Sequence, residues 1–258
     1  MPTEIELQAF RAIVEMASHS IVPLICESGA DAGVYGTGTL FTDEKDYYLI
    51  TACHVADAIR ENKVGVPSTP RNSEIWTLGN GELTYSQKAD VAVFRIGSAD
   101  SQKKLLAGWT FLTPDFVWTG AIPDDCSFLL YGFPSELGKM KGGTLHSPPA
   151  SFVTTRFQGT PTGFGDPYDP NIDVILTHKA VGLSDQSGTV VDVPNLPGVS
   201  GCPVWAVAPV ESNPNNIWVA KNNARISAIE TSYVKGSWIR ARRWSIVQKI
   251  LDEFNEHQ

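Results

Sequence analysis

This sequence lacks an excess of positive charge and any long apolar run. It has 20 Lys and Arg against 28 Asp and Glu, a formal net charge of −8. Proteins that bind nucleic acid over a broad surface present a basic face, so we expect no nucleic-acid partner. No apolar run approaches the roughly 20 residues that span a bilayer, and the first residues lack the pattern of a secretory signal. We therefore expect no membrane partner and a cytoplasmic location.

The sequence also lacks paired cysteines. Its four cysteines, Cys26, Cys53, Cys126 and Cys202, are widely separated and form no CxxC pair. Zinc binding is therefore not expected, and four reduced thiols in an intracellular protein are the simplest interpretation.

About a dozen short apolar runs, separated by Gly and Pro, dominate the chain. They include "YYLITACHV", "DVAVFRIG", "SFLLYGFP", "DVILTHKAV", "NIWVA" and "ARISAIET". This pattern predicts an antiparallel all-β protein, a barrel or a sandwich. Apolar residues at helical spacing predict a helix at each end, over residues 3–18 with Thr3 as a possible N-cap, and over about 237–256.

A polar, turn-rich segment over about residues 100–122 divides the strands into two groups of roughly six. The expected organisation is a single domain of 258 residues. A first β-barrel covers about 20–100 and a second covers about 123–235. In "IRARRW", the arginines Arg240, Arg242 and Arg243 are expected on the solvated side of the closing helix.

Five histidines narrow the search for a general base, because His is the commonest residue in that role near neutral pH. His19 and His257 fall in polar surface segments, His146 in a Gly/Ser/Pro loop, and His178 just after a strand. His54 differs, since it ends an apolar strand where the chain leaves the core. A hydrogen-bonded structural histidine would also fit that place.

Two further residues join His54 as candidates. Asp90 directly precedes the apolar run "VAVFRI", where its carboxylate could orient an imidazole or simply form a turn. Ser200 lies between two glycines in "LPGVSGCPVW". By itself that segment is typical of a turn.

Together, "LITACHV", "ADVAVF" and "GVSGCPV" place His, Asp and Ser in that order, each at the edge of an apparent strand. This arrangement resembles the trypsin-like serine peptidases of chymotrypsin fold, and is nearest to the bacterial HtrA-like and glutamyl-endopeptidase-like branches. "IPDDCSFLLYGFP" resembles the segment that opens the second barrel in those relatives. The resemblance covers about residues 20–235 and implies an all-β fold of two six-stranded antiparallel barrels.

The resemblance implies a role for each motif residue. Ser200 would be the nucleophile, His54 the base and then the acid, and Asp90 the orienting carboxylate. The backbone N–H groups of Gly198 and Ser200 would form the oxyanion hole, for which glycine's conformational freedom is suited. Such a mechanism needs no metal and no organic cofactor.

Two cysteines depart from the family pattern. Cys202 replaces the usual small residue after the Ser-Gly pair, and Cys53 directly precedes the histidine rather than following it. Both are interpreted as small buried residues. A redox-sensitive thiol near the site is the alternative.

The strand "ARISAIETSYV" resembles the one that lines the primary specificity pocket in the family. Ile229, Glu230 and Thr231 are therefore candidate pocket residues. A carboxylate at Glu230 would favour Lys or Arg on the acyl side of the scissile bond. The alternative is that Glu230 faces solvent or a neighbouring basic group.

The sequence is thus most consistent with a bacterial, intracellular serine endopeptidase that acts on a protein or peptide substrate. Two other functions remain open. The chain could be a non-enzymatic binding module on the same fold, or a dormant, selective protease that a partner protein activates.

Overall fold

The computed structural model describes residues 4–28, 31–61, 64–70, 74–163, 167–179, 181–183, 190–209 and 218–256. Within these ranges, the N-terminal half contains three helices, α1 Glu4–Ala17, α2 Cys53–Arg60 and α3 Ala99–Gly108. It also contains seven strands: β1 Ile21–Ser28, β2 Asp31–Thr42, β3 Tyr47–Ala52, β4 Val64–Pro67, β5 Ile75–Thr77, β6 Gly81–Ser86 and β7 Val91–Ile96.

The C-terminal half contains the remaining strands and two helices. The strands are β8 Ser127–Gly132, β9 Lys139–Lys141, β10 Thr144–His146, β11 Ala150–Thr154, β12 Asp173–Thr177, β13 Val181–Leu183, β14 Val190–Asp192, β15 Pro203–Val207, β16 Ala224–Val234 and β17 Trp238–Arg243. The helices are α4 Ala220–Asn223 and α5 Trp244–Glu256.

The strands form two large antiparallel sheets, one from each half of the chain. The first has seven strands in the order β5-β4-β1-β2-β3-β7-β6, and the second has six in the order β11-β8-β15-β16-β17-β12. Two short hairpins, β9–β10 and β13–β14, stand apart from them. The predicted two-barrel, all-β fold of chymotrypsin type is confirmed, with seven strands rather than six in the first curled sheet.

A shared core joins the sheets to the two terminal helices. Phe10 and Ile13 of α1 and Trp244 and Phe254 of α5 pack in one buried cluster with Trp205 of β15. Each sheet also has an apolar core of its own. Burial of one apolar stripe on each helix explains why both terminal patterns predict helices correctly.

The start of the closing helix was predicted wrongly. Residues 238–243 are strand β17, and α5 begins only at Trp244. Arg240 and Arg242 are not solvated: both are buried and pair with Asp173 of β12. Two arginines on one face of a strand depart from the usual apolar pattern. Their partner, Asp173, is separated from Arg240 by 67 residues in the sequence.

Three smaller differences concern local elements. "NIWVA" is not a strand in its described part, because Ala220 begins the short helix α4. The segment over 100–122 contains most of helix α3, whose start is capped by the side chain of Ser98. Thr3, the expected N-cap of α1, and His257 lie outside the described residues.

Among the helices that the structure describes, none is long and apolar enough to cross a membrane.

Candidate active site

His54 and Asp90 are joined by a short side-chain contact. His54 Nδ1 lies 2.9 Å from Asp90 Oδ2 and 3.1 Å from Oδ1. The imidazole is about half exposed, with a side-chain exposure of 52% against 27% for the carboxylate. An Nδ1–H that donates to Asp90 leaves Nε2 free to accept a proton.

Asp90 also holds the helix that carries His54. Strand β3 ends at Ala52, and His54 is the second residue of α2 rather than the last residue of the strand. The backbone N–H of His54 donates to Asp90 Oδ1 (3.0 Å), and the N–H of Cys53 donates to the Asp90 carbonyl (3.1 Å). The first N–H groups of a helix need such external acceptors, and a carboxylate there also complements the helix dipole.

The Asp90 backbone adopts a left-handed conformation, with φ of 52°. Asp tolerates this region better than most residues. The turn lets one residue present its carbonyl and its carboxylate to the same helix end. The hydrogen bond to Asp90 is the main cause that raises the pKa of His54, against the opposing effect of burial.

Ser200 lies on a glycine-rich turn that is bonded to the first sheet through Thr37 of β2. The Thr37 N–H donates to the Ser200 carbonyl (2.9 Å), and the Thr37 hydroxyl donates to the Gly198 carbonyl (2.7 Å). The same hydroxyl accepts from the N–H of Phe133 (3.1 Å). Fully buried Thr37 therefore fixes the serine turn to both sheets, a role that sequence analysis missed. Its signal was a polar residue within the apolar run "YGTGTLF".

Some backbone N–H groups of this turn are paired and others are not. Val199, Gly201 and Cys202 donate to the carbonyls of Leu196, Glu230 and Val199, respectively. In the part of the chain that the structure describes, the N–H groups of Gly198 and Ser200 have no protein acceptor. Two such donors within one turn are the chemical requirement for stabilising an oxyanion.

Gly198 has no room for a side chain. Its φ is +90°, and an added Cβ would lie 2.6 Å from the Phe133 carbonyl oxygen and 2.7 Å from the Ser135 nitrogen. We therefore expect Gly198→Ala to destabilise the fold by at least about 1–2 kcal/mol, the cost of the left-handed backbone alone. A displaced amide would also lower the reactivity of Ser200 by roughly 100-fold, the usual loss for one oxyanion donor.

Gly120→Ala is the matched control for this substitution. Gly120 has nearly the same φ, +88°, but an added Cβ would meet nothing within 4 Å. Urea unfolding and the labelling rate of Ser200 by a fluorophosphonate would be measured for both variants. An equal effect of both variants on the labelling rate would contradict a special role for Gly198.

The Ser200 hydroxyl is not bonded to His54. Its Oγ makes one long contact, 3.5 Å, with the carbonyl oxygen of Thr231 in β16. Within the described residues, no hydrogen bond joins Ser200 and His54. The structure therefore brings His54 and Asp90 together, and it leaves the serine hydroxyl directed to the neighbouring strand.

Glu230 is bonded through its backbone to the turn that carries Ser200, and it is fully buried, with an exposure of 0%. The alternative that Glu230 faces solvent or a neighbouring basic group is therefore wrong. Neither carboxyl oxygen has a hydrogen-bond partner of regular geometry in the described chain. Burial is the largest effect and raises the pKa of Glu230 to about 8; the nearby Ser200 hydroxyl opposes this shift, and the charge of Asp90 adds to it.

The two other pocket candidates are also buried. Ile229 is fully buried in the core shared by the two sheets, and Thr231 is 3% exposed. The specificity role of Ile229, Glu230 and Thr231 stays a prediction.

Both unusual cysteines are buried thiols. Cys202 is fully buried and Cys53 is 6% exposed. Burial is the main cause that raises the pKa of each thiol, more strongly at Cys202. Both therefore remain protonated near neutral pH, which favours the interpretation as small core residues over that of a redox-sensitive thiol.

The other described histidines lie elsewhere. His19 is in the turn after α1, and His146 ends the hairpin strand β10. His178 is 3% exposed, and its Nδ1 accepts from the N–H of Gly236 (2.9 Å). In the described ranges, no group of three or more His, Cys, Asp or Glu residues could hold a metal ion.

Comparison with known proteins identifies similarity in structure only. No protein-family model matches this chain, and no curated protein matches it. The active form of the Rv3671c protease from M. tuberculosis aligns over 97% of this chain and 86% of its own, with a TM-score of 0.51 and 14% identity. An inactive form of Rv3671c, in which a serine is mutated to alanine, aligns over 100% of this chain and 96% of its own, with a TM-score of 0.49 and 15% identity. At these identities the likeness concerns the fold: this chain has the two-barrel, chymotrypsin-like fold of a known serine protease.

Proposed function

We propose that this chain is a serine endopeptidase that cleaves peptide bonds through an acyl-enzyme. The observation that carries the proposal is the His54–Asp90 pair beside a serine turn with two unpaired amides. The protease fold of the M. tuberculosis neighbour supports the same reaction class, although fold alone does not fix function.

In the proposed reaction, Asp90 keeps the proton of His54 on Nδ1, so that Nε2 accepts the proton of the Ser200 hydroxyl. Ser200 Oγ bonds to the carbonyl carbon of the substrate, and the negative charge on the carbonyl oxygen is held by the N–H groups of Gly198 and Ser200. The C–N bond then breaks as His54 returns the proton to the leaving amine. Water repeats these steps on the acyl-enzyme, releasing a carboxylic acid and regenerating Ser200.

Fluorophosphonate labelling tests this mechanism without knowledge of the substrate. We expect a single adduct on the Ser200 hydroxyl, located by mass spectrometry of the digested protein, and no adduct on Ser200→Ala. Ser232→Ala is the matched control, since Ser232 lies in neighbouring strand β16 and has no proposed role. Incubation with casein and a peptide library would then measure cleavage. A wild-type protein that is neither labelled nor able to cleave any peptide would contradict the proposal.

A second candidate is a dormant protease that a partner protein activates. The contact of Ser200 Oγ with the Thr231 carbonyl, in place of one with His54, favours it. His54 and Asp90 are already paired, so in this candidate the partner would promote the missing hydrogen bond between Ser200 and His54. Labelling of Ser200 that appears only after a protein partner is added would favour this candidate. Immediate labelling of the isolated chain would contradict it.

A further inference from the structure

The carboxyl group of Glu230 is held on the inner face of the second sheet. Glu230 pairs with Ala241 of β17, so these two side chains share one face, whereas Arg242 is opposite Ile229 on the other face. Arg242, together with Arg240, is directed to Asp173. The two buried arginines therefore do not compensate a negative charge on Glu230.

The backbone of Glu230 is bonded on both sides to the serine turn. Its carbonyl accepts from the N–H of Gly201 (2.9 Å), and its N–H donates to the carbonyl of Cys202 (2.9 Å). These bonds fix the position of the side chain relative to Ser200. A movement of the turn away from Glu230 would break both.

The titratable groups that face Glu230 are acidic or neutral. Asp90 approaches from the start of β7 and carries negative charge, Cys202 lies on the turn before β15, and Tyr233 lies further along β16. The side chain of His54 is paired with Asp90. Among the residues that the structure describes, no cation contributes to the pKa of Glu230. An uncompensated carboxylate in such surroundings is costly, so the carboxyl is neutral below about pH 8.

We propose that Glu230 is a positioning residue whose proton controls the reactivity of Ser200. This inference rests on the proposed function. As a neutral acid, Glu230 leaves the proton of the Ser200 hydroxyl available to His54. As a carboxylate, it accepts a charge-assisted hydrogen bond from that hydroxyl and directs the proton away from His54.

Two physical effects then act in the same direction. Charge-assisted hydrogen bonds are roughly twice as strong as neutral ones, so the carboxylate competes well for the hydroxyl. A second negative charge in a dry site also opposes the negative charge that develops on the substrate oxygen. Loss of the Glu230 proton to solvent therefore switches the nucleophile off.

The test is the rate of fluorophosphonate labelling at Ser200 as a function of pH. In the wild type we expect the rate to fall at least about tenfold between pH 7 and about pH 9.5, because most Glu230 loses its proton over that range. Glu230→Gln keeps a neutral side chain of similar shape at every pH, so its labelling rate should not fall between pH 7 and about pH 9.5. Glu230→Leu, which suits an apolar core, should do the same and serves if the glutamine variant folds poorly.

Cys202→Ala is the control for the other buried titratable group of the turn, and it should keep the alkaline fall. Infrared difference spectra give a readout that needs no variant at Glu230: a protonated carboxyl should titrate near pH 8 in the wild type, and at a higher pH in Ser200→Ala, which lacks the hydroxyl that lowers the pKa of Glu230. A wild-type rate that stays flat or rises to pH 9.5 would overturn the inference, as would the same fall in Glu230→Gln. Absence of labelling at every pH would instead contradict the proposed function.

Discussion

Asp90→Asn should lower the labelling and turnover rates of Ser200 by about four orders of magnitude, as expected when the orienting acid of such a triad becomes an amide. The carboxylate accepts from Nδ1–H of His54 at 2.9 Å. An asparagine amide can present N–H groups there, which stabilises the tautomer with its proton on Nε2. That tautomer cannot accept the Ser200 proton.

The asparagine variant should nevertheless fold. An asparagine carbonyl still accepts from the N–H of His54, and the Asp90 main-chain carbonyl still accepts from Cys53. Asn also tolerates the left-handed backbone at this position. We therefore expect nearly unchanged thermal unfolding together with a lower pKa for His54, because the hydrogen bond to Asp90 is the main cause of its raised pKa.

Asp57→Asn is the matched control for Asp90→Asn. Asp57 also raises the pKa of His54 through its charge, but it is exposed and pairs with Arg60 at 3.0 Å. Its loss should change the labelling rate less than about tenfold, since exposed charges interact weakly. Equal losses in both variants would mean that negative charge, rather than tautomer control, is the contribution of Asp90.

The sequence predicts best those features that depend on local pattern. Strands β3 and β7 are mostly apolar and mostly buried. Asp90 directly precedes β7, and His54 follows the end of β3 after one residue. The positions of His54 and Asp90 next to these runs explain why the pair is found from sequence. The helix at His54 was missed because its first N–H groups are bonded to Asp90, 36 residues away.

Features that depend on long-range pairing could not be predicted. Thr37 bonds to Gly198 across 161 residues, and nothing in "YGTGTLF" indicates that partner. Glu230 is a charged residue in an apolar strand, a pattern that usually indicates an exposed face. The serine turn and the adjacent sheet together explain its burial, and the residues next to Glu230 in the sequence indicate neither of them.

The largest stability effect should come from Asp173, which lies between two buried arginines. Arg240 bonds to its carboxylate through Nε (2.9 Å) and through a terminal nitrogen (2.8 Å). Arg242 bonds to the same carboxylate, and it also donates to the Lys88 carbonyl, two residues before Asp90. The cluster therefore connects β12 and β17 to the segment that carries the orienting carboxylate.

Asp173→Asn should destabilise the fold by about 3–5 kcal/mol, the usual cost of leaving a buried charge without its partner. The side-chain exposures are 0% for Asp173 and 4% and 2% for the arginines, so water cannot solvate the positive charge that loses its partner. Urea unfolding and a fall of about 10 °C in the melting temperature would measure this loss. Asp124→Asn is the control, because its fully exposed carboxylate lies 3.7 Å from Arg156, and no measurable change is expected.

Removing the whole cluster separates charge compensation from packing. A triple variant, Asp173→Leu with Arg240→Met and Arg242→Met, leaves no buried charge and should be more stable than Asp173→Asn alone, as apolar replacements of buried ion clusters often are. The triple variant also loses the bond from Arg242 to Lys88. If this bond positions Asp90, the triple variant should fold yet label Ser200 more slowly than the wild type. A triple variant that is no more stable than Asp173→Asn would show that packing of the long arginine side chains, rather than charge compensation, stabilises this part of the sheet.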